Sequence, residues 1–343
     1  MNSGLCLLIY FVRKKYENMT SPHCTLLYYL YVDLFPSGGL DHRSDTCQWF
    51  QSLPSSATVR GRIRVAKDGL NATLGGPRES LEEHCRSVSN RFDHLPPIDF
   101  KFGVGYSRPG AHMHEFHTKI CDELVTLQLP PGVAQPQNTG KHLIAEDFHK
   151  AMMKASQEHP SDVAFIDCRN SYETDIGTFE CTGLDSYRPR TRVFASFPKW
   201  VNEHAEMLRN KKQIFMVCTG GVRCERASAY VKERLKSNST EVFQLSGGIQ
   251  RYMEAVEDGR IPIEDDLWKG KLFVFDDRPP VVSSVNPLSA SAVLGKCCVC
   301  EAPYDVYKWL RCNQCTVLVL CCDSCDNESS LLLCRDCSNN KKT

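Results

Sequence analysis

QIFMVCTGGVRCERASAYVKERL, residues 213–235, decides the fold. Ile214–Val217 is a short apolar run of strand length, closed by Cys218. Thr219, Gly220, Gly221 and Val222 form a turn, and from Cys224 to Leu235 the apolar residues Ala227, Tyr230, Val231 and Leu235 fall on one helical face. The same alternation extends in both directions. Apolar strands are expected at Val163–Ile166 and Val242–Leu245, with helices at Phe148–Met153, Phe197–Leu208 and Ile249–Val256. Strands alternating with helices through short connections give a parallel sheet covered on both faces. Sites in such sheets form beyond the carboxyl ends of the strands, which is where Cys218 stands.

The residues around that sulfur specify its chemistry. A thiol between a strand end and a helix amino-terminus faces unpaired N–H groups and the positive end of the helix dipole. Gly220 and Gly221 let the backbone curl into a concave anion site, and Arg223 adds a full positive charge. These features predict a Cys218 thiolate, the nucleophilic form. The inert alternative is a strand-end cysteine before a glycine-rich turn. Four residues separate Cys218 from Arg223, one fewer than in the loops of cysteine phosphatases, so sulfur or small-electrophile chemistry is expected rather than phosphate hydrolysis. Cys224 is a candidate resolving thiol for an oxidised Cys218, or else a small residue packed in the first helical turn. Asp167 and Arg169 are read as loop supports, Cys168 and Cys181 as buried packing residues.

Upstream, Leu26–Leu34 reads as an aromatic strand and Thr58–Lys67 as a half-buried one, with Val59, Ile63 and Val65 on one face and Arg60, Arg62 and Arg64 on the other. Asp68-Gly69 turns the chain into Leu70–Leu74. A helix at Glu79–Val88 and strands at Ile98–Phe102 and Glu123–Leu127 complete a β, α, β, β, α, β order, which suggests a small antiparallel sheet with helices on one face.

Of 19 cysteines, ten lie between Cys297 and Cys337. Cys297/Cys300, Cys312/Cys315, Cys322/Cys325 and Cys334/Cys337 form four C-x-x-C units; each pair reaches one ion, so eight sulfurs fit about two structural zinc ions. The segment has too few apolar residues to fold alone, the condition under which metal supplies folding energy. Neighbouring Cys298 and Cys321 leave the register open by one. Disulfides are the alternative, disfavoured in a reducing compartment. No organic cofactor is evident.

The 343 residues carry 41 basic and 41 acidic side chains, and 42% are hydrophobic, which excludes wholesale disorder and an electrostatic coat for nucleic acid. Basic faces remain at Arg60, Arg62 and Arg64 and at Arg188, Arg190 and Arg192; these are candidate RNA contacts, and a solvated face explains them as well. No apolar run is long enough to span a bilayer. Leu5–Val12 precedes its basic residues, the reverse of a secretory signal. An intracellular, cytoplasmic protein with no membrane is expected, with an organelle left open. The oligomeric state is unknown from sequence.

Cys218-Thr219-Gly220-Gly221-Val222-Arg223-Cys224-Glu225 resembles the active loop of rhodanese-like domains, and more narrowly that of the rhodanese-containing tRNA uridine hydroxylase family. Phe165–Asn170 with Glu173 and Gly177, Gly61–Ala66 with Gly69, Asn71 and Thr73, Leu245–Ile249, and Phe273-Val274-Phe275-Asp276 resemble it too, from about residue 26 to 278. The resemblance implies a poorly defined start (1–25), a ferredoxin-like, acylphosphatase-like α+β domain (26–132), a rhodanese-like parallel-sheet α/β domain (141–278), a linker (279–296) and the zinc-binding tail (297–337). It further implies oxygen-dependent 5-hydroxylation of the tRNA wobble uridine, requiring Cys218 and supported by Arg223, with tRNA as partner and molecular oxygen as co-substrate. The alternatives are a sulfurtransferase taking persulfide sulfur from a small donor, and a non-catalytic anion-binding scaffold.

Overall fold

The computed structural model describes residues 23–34, 40–103, 115–236, 239–275, 280–286, 292–326 and 331–339. Most of the start (1–25), Asp276 and part of the linker (279–296) lie outside the described residues. Contacts divide the chain into two units, Met1–Leu124 and Val125–Thr343, taken in turn.

The first unit runs β1 (His23–Tyr31), α1 (Arg43–Ser52), β2 (Arg60–Ala66), β3 (Gly69–Pro77), α2 (Arg78–Arg91), β4 (Lys101–Gly103) and β5 (His117–Ile120). The sheet order is β4-β1-β3-β2-β5. The period-two reading of β2 holds: Val59, Ile63 and Val65 are fully buried and pack with Phe50, Leu81 and Val88 of the helices. Arg60, Arg62 and Arg64 point to the other face, where Arg62 is exposed and Arg64 donates to the Glu123 carbonyl at 3.2 Å. Two expectations need correction. The sheet is mixed, because β5 joins β2 in parallel. And 123–127 is not a strand: the Cys121 amide makes a last bond to the Val65 carbonyl at 2.9 Å, after which the Asp68 side chain captures the Leu124 amide at 2.8 Å and takes the chain off the sheet. The apolar residues there are buried without a ladder, which periodicity cannot distinguish from a strand.

The second unit continues with β6 (Lys141–Leu143), α3 (Ala145–Glu158), β7 (Val163–Asp167), α4 (Ser171–Thr174), β8 (Gly177–Phe179), β9 (Asp185–Tyr187), α5 (Phe197–Glu203), α6 (Ala205–Arg209), β10 (Gln213–Val217), α7 (Val222–Leu235), β11 (Glu241–Leu245), α8 (Gly248–Glu257), β12 (Trp268–Gly270), α9 (Asp323–Asp326) and α10 (Arg335–Asn339). Five strands form one parallel sheet, β6-β11-β10-β7-β9, with β10 at its centre. Ile214 and Met216 face α5, α6 and α7 on one side; Phe215 and Val217 face α3 and α8 on the other. Burial on both faces is why these strands read as continuous apolar runs. A two-stranded ribbon, β8 with β12, was not expected. Its strands are three residues each, too short for a sequence period.

The segment between sheet and tail is packed where it is described. Val281 pairs with Leu272 through two backbone bonds, and buried Asn286 donates to Asp266 at 2.8 Å. Among the described residues, no helix is long and apolar enough to cross a membrane.

Candidate active site and metal centres

Cys218 ends β10 at the carboxyl edge of the sheet and is fully buried. Gly221, with φ 98°, bends the loop so that its amide donates to Cys218 Sγ at 3.1 Å. Only a residue tolerant of the left-handed region makes this turn cheaply. Gly220 needs no such tolerance, since a Cβ there meets nothing within 4 Å. The loop is clamped from below by the start of α8: the Ile249 amide donates to the Cys218 carbonyl at 3.0 Å, and Gln250 to the Thr219 carbonyl at 3.1 Å. Gly248, with φ +68°, lies so close that a Cβ would stand 2.5 Å from the Cys218 carbonyl oxygen. That contact explains Gly248 of Leu245–Ile249, and a left-handed φ of 71° explains Gly247.

Arg223 does not point its charge at the sulfur. Its guanidinium makes a two-pronged ion pair with fully buried Glu173, at 2.6 and 2.7 Å, and donates to Thr219 Oγ1 at 2.9 Å. Glu173 also accepts from Thr219 Oγ1 at 3.0 Å and from the Asn170 amide at 3.1 Å. Burial opposes the Glu173 charge, but Arg223 outweighs it and holds the carboxyl below its usual range. Glu173 is the residue whose role sequence reading missed. Its signal was present, because Asn170-x-x-Glu173 is a capping box for α4.

The expected Cys218 thiolate is therefore corrected. Burial pushes the thiol well above its ordinary value, the neighbouring Cys224 thiol adds to this, and the pull of Arg223 does not prevail. A guanidinium already matched by a carboxylate presents little net charge to a third group. Cys224 hydrogen-bonds with both Cys218 and Cys168, and burial raises all three thiols. Cys168, expected as plain packing, thus belongs to the same buried sulfur cluster.

Asp167 and Arg169 form a fully buried ion pair at 2.7 and 2.9 Å. Arg169 also donates to the Glu173 carbonyl at 3.3 Å and the Gly177 carbonyl at 2.6 Å, so it grips the segment that carries Glu173. Of the second arginine cluster, Arg188 is exposed. Arg190 bridges Asp175 at 3.1 Å and Asp336 at 3.0 Å, and Arg192 donates to Cys337 Sγ at 3.6 Å. Arg190 is thus tied to the tail, while Arg188 and Arg192 stay exposed.

The eight expected cysteines gather into two clusters that interleave along the chain: Cys297, Cys300, Cys322 and Cys325, and Cys312, Cys315, Cys334 and Cys337. Within each, the sulfurs all lie within 4.8 Å of one another. Cys300 and Cys322 sulfurs are 3.7 Å apart, Cys315 and Cys334 3.5 Å. Disulfide sulfurs sit at about 2.05 Å, whereas a tetrahedron with bonds of about 2.3 Å has edges of about 3.8 Å. The donor sets thus fit metal ions. Each cluster joins a knuckle to a short helix. Glu301 (φ 59°) and Thr316 (φ 61°) turn the two knuckles, and the other sulfurs lie in α9 and α10 (Cys325, Cys337) or on the residue before each helix (Cys322, Cys334). The register question resolves to Cys297 and Cys322, with Cys298 and Cys321 outside both sets.

Two family models match the chain. "UPF0176 acylphosphatase like domain" covers residues 24–123, and "Rhodanase C-terminal" covers 269–338, the span that includes every clustered cysteine. A Bacillus cereus protein named tRNA uridine(34) hydroxylase is 31% identical over 325 residues, covering 93% of this chain and 89% of the relative. The Bacillus thuringiensis protein of the same name matches equally well, at 31% with the same coverage. An Arabidopsis thaliana protein named rhodanese-like domain-containing protein 6 is 33% identical over 92% of this chain, which spans about half (53%) of that longer relative. A solved Saccharomyces cerevisiae structure, described as a homolog of single-domain rhodanese and the Cdc25 phosphatase catalytic domain, overlaps 37% of this chain and 88% of its own at 15% identity, with a TM-score of 0.28.

Proposed function

The chain belongs to the tRNA uridine(34) hydroxylase family, and from that premise we propose that it hydroxylates the wobble uridine of tRNA at C5 through Cys218. The observation that carries this reading is the built cradle around one sulfur: Gly221 donating at 3.1 Å, α8 holding the loop carbonyls, and Arg223 fastened to Glu173 beside it. Such a cradle keeps the sulfur at a set position and excludes water from it. Burial pushes the Cys218 thiol up, so loss of its proton is part of any reaction at the sulfur. Asp167 and Arg169 act as supports, because they hold the segment that bears Glu173. Cys224 stands within hydrogen-bond reach of Cys218 and serves as its resolving thiol: a sulfenic acid on Cys218 condenses with the Cys224 thiol to a disulfide and water. Molecular oxygen is the co-substrate: one of its atoms goes to uridine C5 and the other to the Cys218 sulfur as the sulfenic acid, and an external thiol reductant returns the Cys218–Cys224 disulfide to two thiols. Zinc is the metal proposed for both tail clusters, since all-thiolate tetrahedral sets with no open position suit a structural zinc. Arg60, Arg62 and Arg64 remain candidate phosphate contacts.

The test is nucleoside analysis of tRNA from cells lacking this protein. Loss of 5-hydroxyuridine derivatives, restored by the wild type and not by Cys218→Ser, is the expected result. Normal tRNA together with lost persulfide transfer would instead establish the sulfurtransferase, and full activity of Cys218→Ser the scaffold.

A further inference from the structure

Among the described residues, the large apolar side chains open to solvent include two aromatics, Phe275 (53% exposed) and Trp309 (46%). Only Phe275 meets the Cys218 loop. The Arg223 guanidinium lies over its ring, 5.8 Å from the centroid. The ring is held in place. Phe273, two residues back and only 4% exposed, packs edge-on against it with centroids 5.2 Å apart. Phe273 is in turn fixed by Tyr172 at 5.0 Å and by Tyr307 of the tail at 5.6 Å. Tyr307 is locked by its hydroxyl, which donates to the Tyr172 carbonyl at 2.7 Å. Beside this ladder the loop itself opens: Thr219, Gly220 and Val222 are partly exposed, and the space above Gly220 is empty for 4 Å.

A single exposed phenylalanine on a smooth surface needs no explanation. This one is anchored by Phe273, which two further rings hold, set against a guanidinium, and placed beside the open side of the Cys218 loop. A flat ring is the ligand that fits this setting, since it stacks on the exposed part of the phenyl ring whose position Phe273 and the Arg223 guanidinium fix. We propose that Phe275 is the stacking platform for the nucleobase presented to Cys218. The proposal rests on the reading of this chain as an RNA-modifying enzyme and adds to it the residue that holds the base. A base attacked by an enzyme leaves its stack, and an aromatic side chain replaces the lost stacking partner.

The experiment uses the full chain with metal bound and two synthetic RNAs. One is an anticodon stem-loop with uridine at the wobble position, the other the same stem-loop abasic there. Fluorescence anisotropy gives the affinity of the wild type, Phe275→Ala and Phe275→Trp for each. The expected result is a loss of about 5- to 150-fold for Phe275→Ala on the uridine stem-loop. On the abasic stem-loop the same substitution should cost little, and Phe275→Trp should restore most of the affinity. Equal losses on both RNAs, no loss on either, or no binding by the wild type would overturn the proposal. Cys218 alkylation rates verify that each variant keeps its loop. Hydroxylation that proceeds while the two RNAs respond alike defeats the platform and leaves the enzyme reading intact. Base-dependent binding without hydroxylation does the reverse.

Discussion

The three thiols around Cys218 and the two that open the tail's metal clusters, Cys297 and Cys312, shift in opposite directions, while Cys325, Cys334 and Cys337 of the same clusters are raised. Around Cys218 three thiols share one buried pocket, the amides of Gly221 (at 3.1 Å) and Cys224 reach the sulfur, and the nearby cation is matched by Glu173. Burial wins there, and Cys168, Cys218 and Cys224 are all held protonated beyond the ordinary thiol range. In the tail, burial also works against charge at Cys297 and Cys312. The amides of Cys300, Cys322 and Val299 converge on the first, those of Cys334, Cys315 and Gln314 on the second, and both thiols come down below their ordinary value. The difference lies in how many N–H groups a turn aims at a sulfur. Even the arginine of the same loop, matched by Glu173, decides less than that count.

The largest expected effect separates the two groups outright. Chelation under reducing conditions should strip about two metal ions per chain and unfold residues 297–337, because structural zinc supplies on the order of 10 kcal/mol to small cysteine-rich segments. Hydrogen exchange is the measurement, and unchanged protection of 297–337 in metal-free protein would break the contrast. Next in size is Glu173→Gln. Removing one partner of a buried pair costs about 3–5 kcal/mol, read by urea unfolding. The same change frees the Arg223 charge for Cys218, so iodoacetamide should alkylate that thiol faster at a given pH. In the wild type the rate should still be climbing at pH 8.5, where a free thiol is half ionised; a plateau by pH 7 would mean the loop holds a thiolate after all. Smaller again is the glycine pair. Gly221→Ala should cost about 1–2 kcal/mol because its φ of 98° is left-handed, while Gly220→Ala should be near neutral. The smallest effect runs the burial rule on a base. His84, buried in the first unit and bonded to Tyr28 at 2.9 Å, is brought down to about 4 by burial. The folded state prefers it neutral, so its contribution is complete above the ordinary histidine value near 6.5 and fades as pH falls from there toward 4. Thermal melts of His84→Gln and the wild type should converge across that window.

Much of this architecture was legible in advance, for identifiable reasons. The parallel sheet was readable because strands buried on both faces leave unbroken apolar runs such as Ile214–Val217. The first sheet was readable because one buried face leaves alternation, as in β2. What escaped were elements whose residues answer to distant partners. β5 is exposed along much of its length and pairs through backbone alone with β2. The ribbon of β8 and β12 is too short to show a period. Arg190 looked like free surface charge, yet Asp175 and Asp336 claim it, the latter from across the chain.

From the order of residues alone came the candidate nucleophile, the glycine turn after it, and eight sulfurs in pairs that could hold metal, because each of these is a local pattern of neighbours in sequence. Which pairs share an ion, first with third and second with fourth, is a matter of the knuckles and helices meeting in space. So is the fate of the Arg223 charge, since Glu173 lies 50 residues away along the chain. Charge and burial act over a few ångströms in any direction, and only the folded chain says which groups share that distance.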